Sequence, residues 1–337
     1  MEKVNDSQNN KQTKDNLPNV LVIGPPINIT VLKPKHPQKY NLSKPWNAYN
    51  SPPLDHFMVE NKYDPTMFQA LICCAYSPIN AIVLQFIPCL KLVVTSSTGT
   101  DHIDLSVCKC RGIQVANIGS LYSEDVADMA VALLIDVQIK ISAADRFVRT
   151  TMRFDFPYCS NSKLGGKRVG IVGLGNVGMQ VAKRLEAFGC IILYLSRKKK
   201  PFVTYTFYSN MLELAATSDA LILCCPLNEQ TRHMVNKEVM LALGNKGVIV
   251  NVARGPLINE DELVNCLIEG QIGGAGLDVF ENEPNVPQQL LAMDNVVLSP
   301  HNAAFTTETY MATTQLVEHN LEAFFSNKPL ITPIKLD

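Results

Sequence analysis

Residues 19–24, 70–75, 91–97 and 112–117 are short, nearly continuous apolar runs bounded by glycine, proline or polar residues. That pattern predicts strands covered on both faces, as in a parallel sheet. IVLQFIPCL, between the second and third runs, predicts a short helix that leads into a strand. Ser123 is placed to cap a helix, and Glu124 and Asp125 suit its positive end. VADMAVALLIDVQIKISAADRFV is then expected to continue as one long helix opening a new unit. Beyond it, RVGIV, CIILYLS, ALILCC, GVIVNVA, GGAGLDVF and NVVLSP alternate with helical stretches such as 260–270. This alternation predicts a doubly wound parallel α/β sheet preceded by a smaller α/β unit. In the last stretch, 306–325, Val317, Leu321 and Phe324 share one helical face that suits packing back on the first unit. Residues 1–17 are polar and expected to be a disordered tail, and 25–53, rich in proline, lysine and asparagine, are expected to be mostly loop.

Length supports the division, because 337 residues exceed what one core of ordinary size organises. A formal charge of −1 gives no reason to expect nucleic acid or an anionic membrane as partner. The polar N-terminal residues argue against a secretory signal, and no apolar run reaches 18 residues, so a soluble cytoplasmic protein is expected. The ten cysteines lack zinc or redox spacing and are expected to be buried thiols. No HExxH cluster suggests a catalytic metal, no GxSxG suggests a serine nucleophile, and a lone Trp46 offers no base-stacking surface.

GLGNVG follows the strand RVGIV and opens a helix with Val177, Val181, Leu185 and Phe188 on one face. Alone the glycine pattern is weak; between strand and helix it predicts a dinucleotide site. Gly173 serves the tight turn, Gly175 the approach of backbone to pyrophosphate, and Gly178 the contact of helix with strand, with Leu174, Asn176 and Val177 completing the loop. The second strand of such a unit ordinarily ends in an acid that binds the ribose hydroxyls. Here it ends YLSRKKK, with no acid from Cys190 to Lys200. Ser196, Arg197 and an outer Lys198 suit a 2′-phosphate, favouring NADP(H); a merely solvated charge run accounts for Lys199 and Lys200 better than for Arg197.

Three features lie beyond later strands. Arg254, in NVARGP, needs a partner, either an anionic substrate or a structural carboxylate. Asp278 and Glu283 lie in LDVFENEP, and His301 follows LSP. If the last two runs are adjacent strands, Glu283 and His301 can touch, and a carboxylate beside an imidazole favours its charged, proton-donating form; an interior hydrogen-bonded histidine is the alternative. His36, His56, His102, His233 and His319 carry weaker signals, His102 being suited only to orienting a turn.

STGTDHIDL, EDVADMAVALL, VGIVGLGNVG, NVARGPLINEDELV, GGAGLDVFENEP and VVLSPH together resemble the D-isomer-specific 2-hydroxyacid dehydrogenase family, most of all its hydroxyphenylpyruvate and glyoxylate/hydroxypyruvate reductases. The resemblance implies a flavodoxin-like substrate domain, residues 18–119 with 302–337, and a Rossmann NAD(P)-binding domain, residues 120–301. It implies that Arg254 holds the substrate carboxylate and keto oxygen, that Glu283 and His301 form the acid–base dyad, and that Asp278 meets the nicotinamide carboxamide region. Backbone amides around Thr98 and Gly99 would also bind the carboxylate, and Cys225, Pro226, Val252 and Ala253 would line the coenzyme. A homodimer reducing a 2-keto acid, whether glyoxylate, hydroxypyruvate or an aryl pyruvate, to the D-2-hydroxy acid with NADPH is the expected assembly and activity. An NAD-linked dehydrogenase of another D-2-hydroxy acid, or a nucleotide-sensing interaction protein on the same fold, are the alternatives. QIKIS and TTMRF depart from the family's arginine pair and GxW, and HNAAFT from its run of small residues, so Phe305 is a candidate for shaping acyl preference.

Overall fold

A computed structural model describes residues 17–24, 39–44, 54–151 and 161–336, with the side chains of 55–57 left aside. The expected tail up to residue 16, much of the loop at 25–53, His36, Trp46 and residues 152–160 lie outside the described residues, as does the side chain of His56. The chain divides into two compact units, Met1–Leu121 with Thr306–Asp337, and Tyr122–Phe305.

The first unit holds a parallel sheet of β1 (Asn19–Ile23), β2 (Asn41–Ser43), β3 (Phe68–Cys73), β4 (Leu92–Thr95) and β5 (Gln114–Ala116) in the order β2-β1-β3-β4-β5. This is the flavodoxin-like order, and the central strands are buried on both faces, as their unbroken apolar runs require. Val317 and Leu321 of the helix Thr307–Phe325 pack on Val20, Val22, Ile72 and Val94, with Phe324 partly buried beside them. Thr306 caps that helix by accepting from the Thr309 amide at 3.2 Å. β2 lies within the interval expected to be loop.

The second unit holds a seven-stranded parallel sheet: β6 (Arg168–Val172), β7 (Ile191–Leu195), β8 (Thr206–Tyr208), β9 (Ala220–Leu223), β10 (Val248–Asn251), β11 (Gly274–Leu277) and β12 (Val296–Leu298). Their order, β12-β11-β10-β9-β6-β7-β8, reverses direction at β6, which creates the crevice where doubly wound sheets take ligands. The glycines of β11 have a packing reason. A Cβ on Gly276 would stand 2.9 Å from Leu133 Cβ, and one on Gly274 would stand 2.7 Å from Val137 Cγ1, so the helix Ser123–Ile139 presses directly onto this strand.

That helix differs from expectation at both ends. Its N-cap is Tyr122, with no side-chain cap, while Ser123 is its first helical residue and is buried. It stops at Lys140, whose backbone is left-handed at φ 57°, and a second helix runs Ile141–Thr151. The apolar pattern continues through the break, but Asp136 accepts from the Ser142 amide at 2.8 Å and from its hydroxyl, and this local pairing turns the chain. The cysteines are only in part as expected: Cys73, Cys108, Cys190 and Cys266 are buried, whereas Cys89 and Cys110 are exposed. Among the described residues no helix is long and apolar enough to cross a membrane, and no cluster of side chains suits a metal ion.

Candidate active site

The glycine loop joins β6 to the helix Asn176–Ala187. Gly173 has φ +98°, and a Cβ there would lie 2.8 Å from the Cys225 backbone. A Cβ on Gly178 would stand 2.1 Å from the Gly173 carbonyl oxygen, so this glycine is what lets the helix start against the strand. Gly175 differs, because nothing lies within 4 Å of its Cβ direction. It is the helix N-cap and supplies no side-chain cap, so the first amides of the helix are left for an anion to bind. Leu174 is buried in the core, whereas Asn176 is exposed and Val177 half-buried. The contrast is testable: Gly178→Ala is expected to lower stability by roughly 2 kcal/mol or more in denaturant titrations. Gly175→Ala should cost at most about 1 kcal/mol while weakening dinucleotide affinity about tenfold or more in fluorescence titration.

At the end of β7 the Ser196 hydroxyl donates to the Lys198 carbonyl at 2.6 Å, and the buried Tyr194 hydroxyl accepts from the Lys200 amide at 2.8 Å. These bonds fix the turn and leave Arg197, Lys198, Lys199 and Lys200 exposed. Cys225 is half-buried against the Gly173 turn and burial pushes its thiol up to about 11, so it is inert at neutral pH; Pro226 is exposed beside it.

Arg254 follows β10. Asn251, fully buried at the strand end, accepts from the Ala253 amide at 3.1 Å and donates to the Arg254 carbonyl at 2.8 Å, fixing the turn that leaves Arg254 half-buried. Val252 is buried and Ala253 half-buried in this turn, and the Ala253 carbonyl accepts from Arg254 Nη1 at 2.8 Å. Sequence reasoning passed over Asn251, although an amide ending an unbroken apolar run was the available signal.

β11 and β12 are neighbours, and the loops that follow them bring Glu283 to His301. Glu283 Oε2 lies 2.8 Å from His301 Nδ1, and its other oxygen accepts from the Phe280 amide at 3.0 Å. Burial pushes the Glu283 carboxyl up, but the bond and charge of His301, the Phe280 amide and the charge of Arg254 outweigh it and hold the group below the ordinary glutamate range. His301 itself sits at φ 52°, a left-handed backbone that costs a non-glycine residue of order 1–3 kcal/mol. Its surroundings enforce that conformation. The buried Asp278 carboxylate accepts from the Asn302 and Ala303 amides at 3.0 and 3.2 Å, and the Asp278 carbonyl accepts from the His301 amide at 2.7 Å. Asp278 therefore anchors the turn that presents the imidazole, a part not read from the sequence.

In the other unit the Thr98–Gly99 turn is tied down by Asn117 Nδ2, which donates to the Thr98 carbonyl at 2.7 Å, and by the Ser97 hydroxyl, which donates to the Gly99 carbonyl at 2.8 Å. Beneath it Thr95 Oγ1 lies 2.8 Å from Ser97 Oγ and 3.0 Å from His102 Nε2, so His102 supports the turn.

Residues 131–303 match the family described as D-isomer specific 2-hydroxyacid dehydrogenase, NAD binding domain. The chain belongs to the D-isomer-specific 2-hydroxyacid dehydrogenase family. It is 52% identical to a glyoxylate/hydroxypyruvate reductase of Arabidopsis thaliana over 80% of this chain and 84% of that one. It is 47% identical to a hydroxyphenylpyruvate reductase of Plectranthus scutellarioides over 76% of this chain and 82% of that one. Its fold matches an NADPH-dependent glyoxylate/hydroxypyruvate reductase of Sinorhizobium meliloti, solved with NADP and malonate, at a TM-score of 0.84 and 35% identity over 95% of this chain and 97% of that one.

Proposed function

We propose that this family member reduces a small 2-keto acid to the D-2-hydroxy acid with NADPH. The observation that carries the reading is the Glu283–His301 pair in the same unit as Arg254, whose charge reaches Glu283. The reductases named above support the reaction class.

The nucleotide fits the residues present. Gly175 leaves space for a pyrophosphate, the uncapped amides of Asn176 and Val177 would bind it, and Arg197 with Lys198 would meet a 2′-phosphate where no carboxylate repels it. Leu174, Cys225, Pro226, Val252, Ala253 and Asp278 complete the proposed lining. When bound, the nicotinamide supplies the hydride. The rest is done by the chain. Arg254 offers its planar donor fork to the substrate carboxylate and polarises the keto oxygen, and the Thr98 and Gly99 amides are proposed as further carboxylate donors. His301, with Nδ1 engaged by Glu283, gives the proton on Nε2 to the developing alkoxide, and Glu283 stabilises the imidazolium. In the reverse direction neutral His301 takes the hydroxyl proton.

The coenzyme half is tested by Arg197→Ala, expected to weaken NADPH binding about tenfold or more while changing NADH binding by less than about threefold. Equal losses for the two coenzymes would return YLSRKKK to a solvated turn. Steady-state assay with NADPH and a panel of keto acids tests the reaction itself.

A further inference from the structure

LDVFENEP carries two glutamates two residues apart, and each meets a histidine. Glu283 meets His301; Glu281 meets His233, with Oε1 2.6 Å from Nε2. The second pair is not used in the chemistry above. His233 lies in the loop after β9, half-buried, at φ 51°. Its backbone amide donates to the Pro256 carbonyl at 2.8 Å, and two residues on the Val235 amide donates to the Leu257 carbonyl at 3.0 Å. The β9 loop is thus bonded along the segment that follows Arg254.

Glu281 is equally tied. The Glu260 amide donates to Glu281 Oε2 at 3.4 Å, and the Glu281 amide donates to Glu260 Oε1 at 3.1 Å, a reciprocal pair joining the start of the helix Glu260–Ile268 to the Glu283 loop. Gly255 lies flat on the same loop, since a Cβ there would fall 1.9 Å from the Phe280 carbonyl carbon. Arg232 also reaches Glu281 Oε1, at 3.3 Å, but it is more than half exposed and adds little. Arg254 and Glu283 therefore stand on different loops whose mutual register depends on a few bonds, and errors of about 1 Å in such a register are costly to turnover.

We propose that the His233–Glu281 pair is a positioning clamp that holds the Arg254 loop against the Glu283 loop, so that the carboxylate-binding guanidinium and the proton-donating dyad keep one geometry. The proposal rests on the reductase reading of those residues. Neither clamp residue touches substrate in this scheme, so its loss should act on the catalytic groups indirectly.

The test compares His233→Ala, His233→Gln and Glu281→Ala in the full chain, with NADPH and glyoxylate. His233→Ala and Glu281→Ala are expected to raise KM for glyoxylate and lower kcat together, reducing kcat/KM about tenfold or more, with NADPH affinity within about twofold. Loss of folded protein alone would lower kcat and leave KM unchanged. His233→Gln, whose amide nitrogen replaces the Nε2 donor, is expected to recover to within about threefold of the parent. Exchange of the Leu257 and Phe280 amides should quicken about tenfold in His233→Ala, and this readout needs no activity. Glu281→Ala applies the test from the other side should His233→Ala fold poorly. Parental kcat/KM in both alanine variants, or Gln as impaired as Ala, would overturn the clamp. A parent inactive on keto acids would instead remove the reductase reading, and the exchange rates alone would then decide the clamp.

Discussion

Replacing His301 with alanine is expected to lower turnover of a 2-keto acid by about 10²–10⁴-fold and to leave NADPH affinity within about threefold of the parent. The expectation follows from where the ring is held. Its Nδ1 faces Glu283, its backbone is kept at φ 52° by Asp278, and its proton is needed only as the alkoxide forms. Glu283→Gln should cost less, because it keeps an acceptor but loses the charge. The same substitution changes stability with pH in a definite direction. The folded carboxyl lies below its ordinary value, so between the two values the folded state binds fewer protons than the unfolded state. The contribution of Glu283 is therefore complete above the ordinary glutamate range and is lost as pH falls through the lowered value. Denaturant titrations over acid pH should show a shallower loss in Glu283→Gln than in the parent. Similar turnover by His301→Ala and the parent would remove the histidine from the acid role.

Arg254→Ala is expected to raise KM and lower kcat, with kcat/KM for the keto acid falling roughly 10²–10³-fold, since the substrate carboxylate would lose a charged partner in a partly desolvated site. Arg254→Lys should recover only part of that loss, because an ammonium restores charge but not the planar fork that spans carboxylate and keto oxygen. A residue that merely braced the loop would behave otherwise: its loss would destabilise the fold without changing the preference for carboxylate-bearing substrates. Steady-state kinetics on a keto acid and on its amide separate the two cases. Arg254→Ala should cost the acid far more than the amide.

Much of this was legible because the signals are local or strictly periodic. Unbroken apolar runs at β3, β4, β9 and β10 require burial on both faces, and that leads directly to parallel sheets with helices around them. The Glu283–His301 contact was legible for a related reason, since two segments leaving adjacent parallel strands emerge at the same edge. The losses fell where short or long-range effects govern. β2 (NLS) and β8 (TFY) are three residues long and carry polar residues, whereas the equally short β5 and β12 lie within the apolar-rich runs 112–117 and NVVLSP. The break at Lys140 is made by Asp136 and Ser142 under an apolar pattern that runs straight through it. The amide-binding carboxylate of Asp278 and the pairing of His233 with Glu281 depend on how loops from different strands pack, which no spacing in the chain encodes, whereas Asn251 bonds residues only two and three further on and left a local signal.

The measurement that bears most directly on the central claim is coenzyme oxidation, followed by nicotinamide absorbance, with NADPH or NADH and glyoxylate, hydroxypyruvate or hydroxyphenylpyruvate. Oxidation of NADPH in preference to NADH by at least one of these acids, with the D-hydroxy acid as product, is the predicted result. Tight NADPH binding with no oxidation by any of them would contradict it.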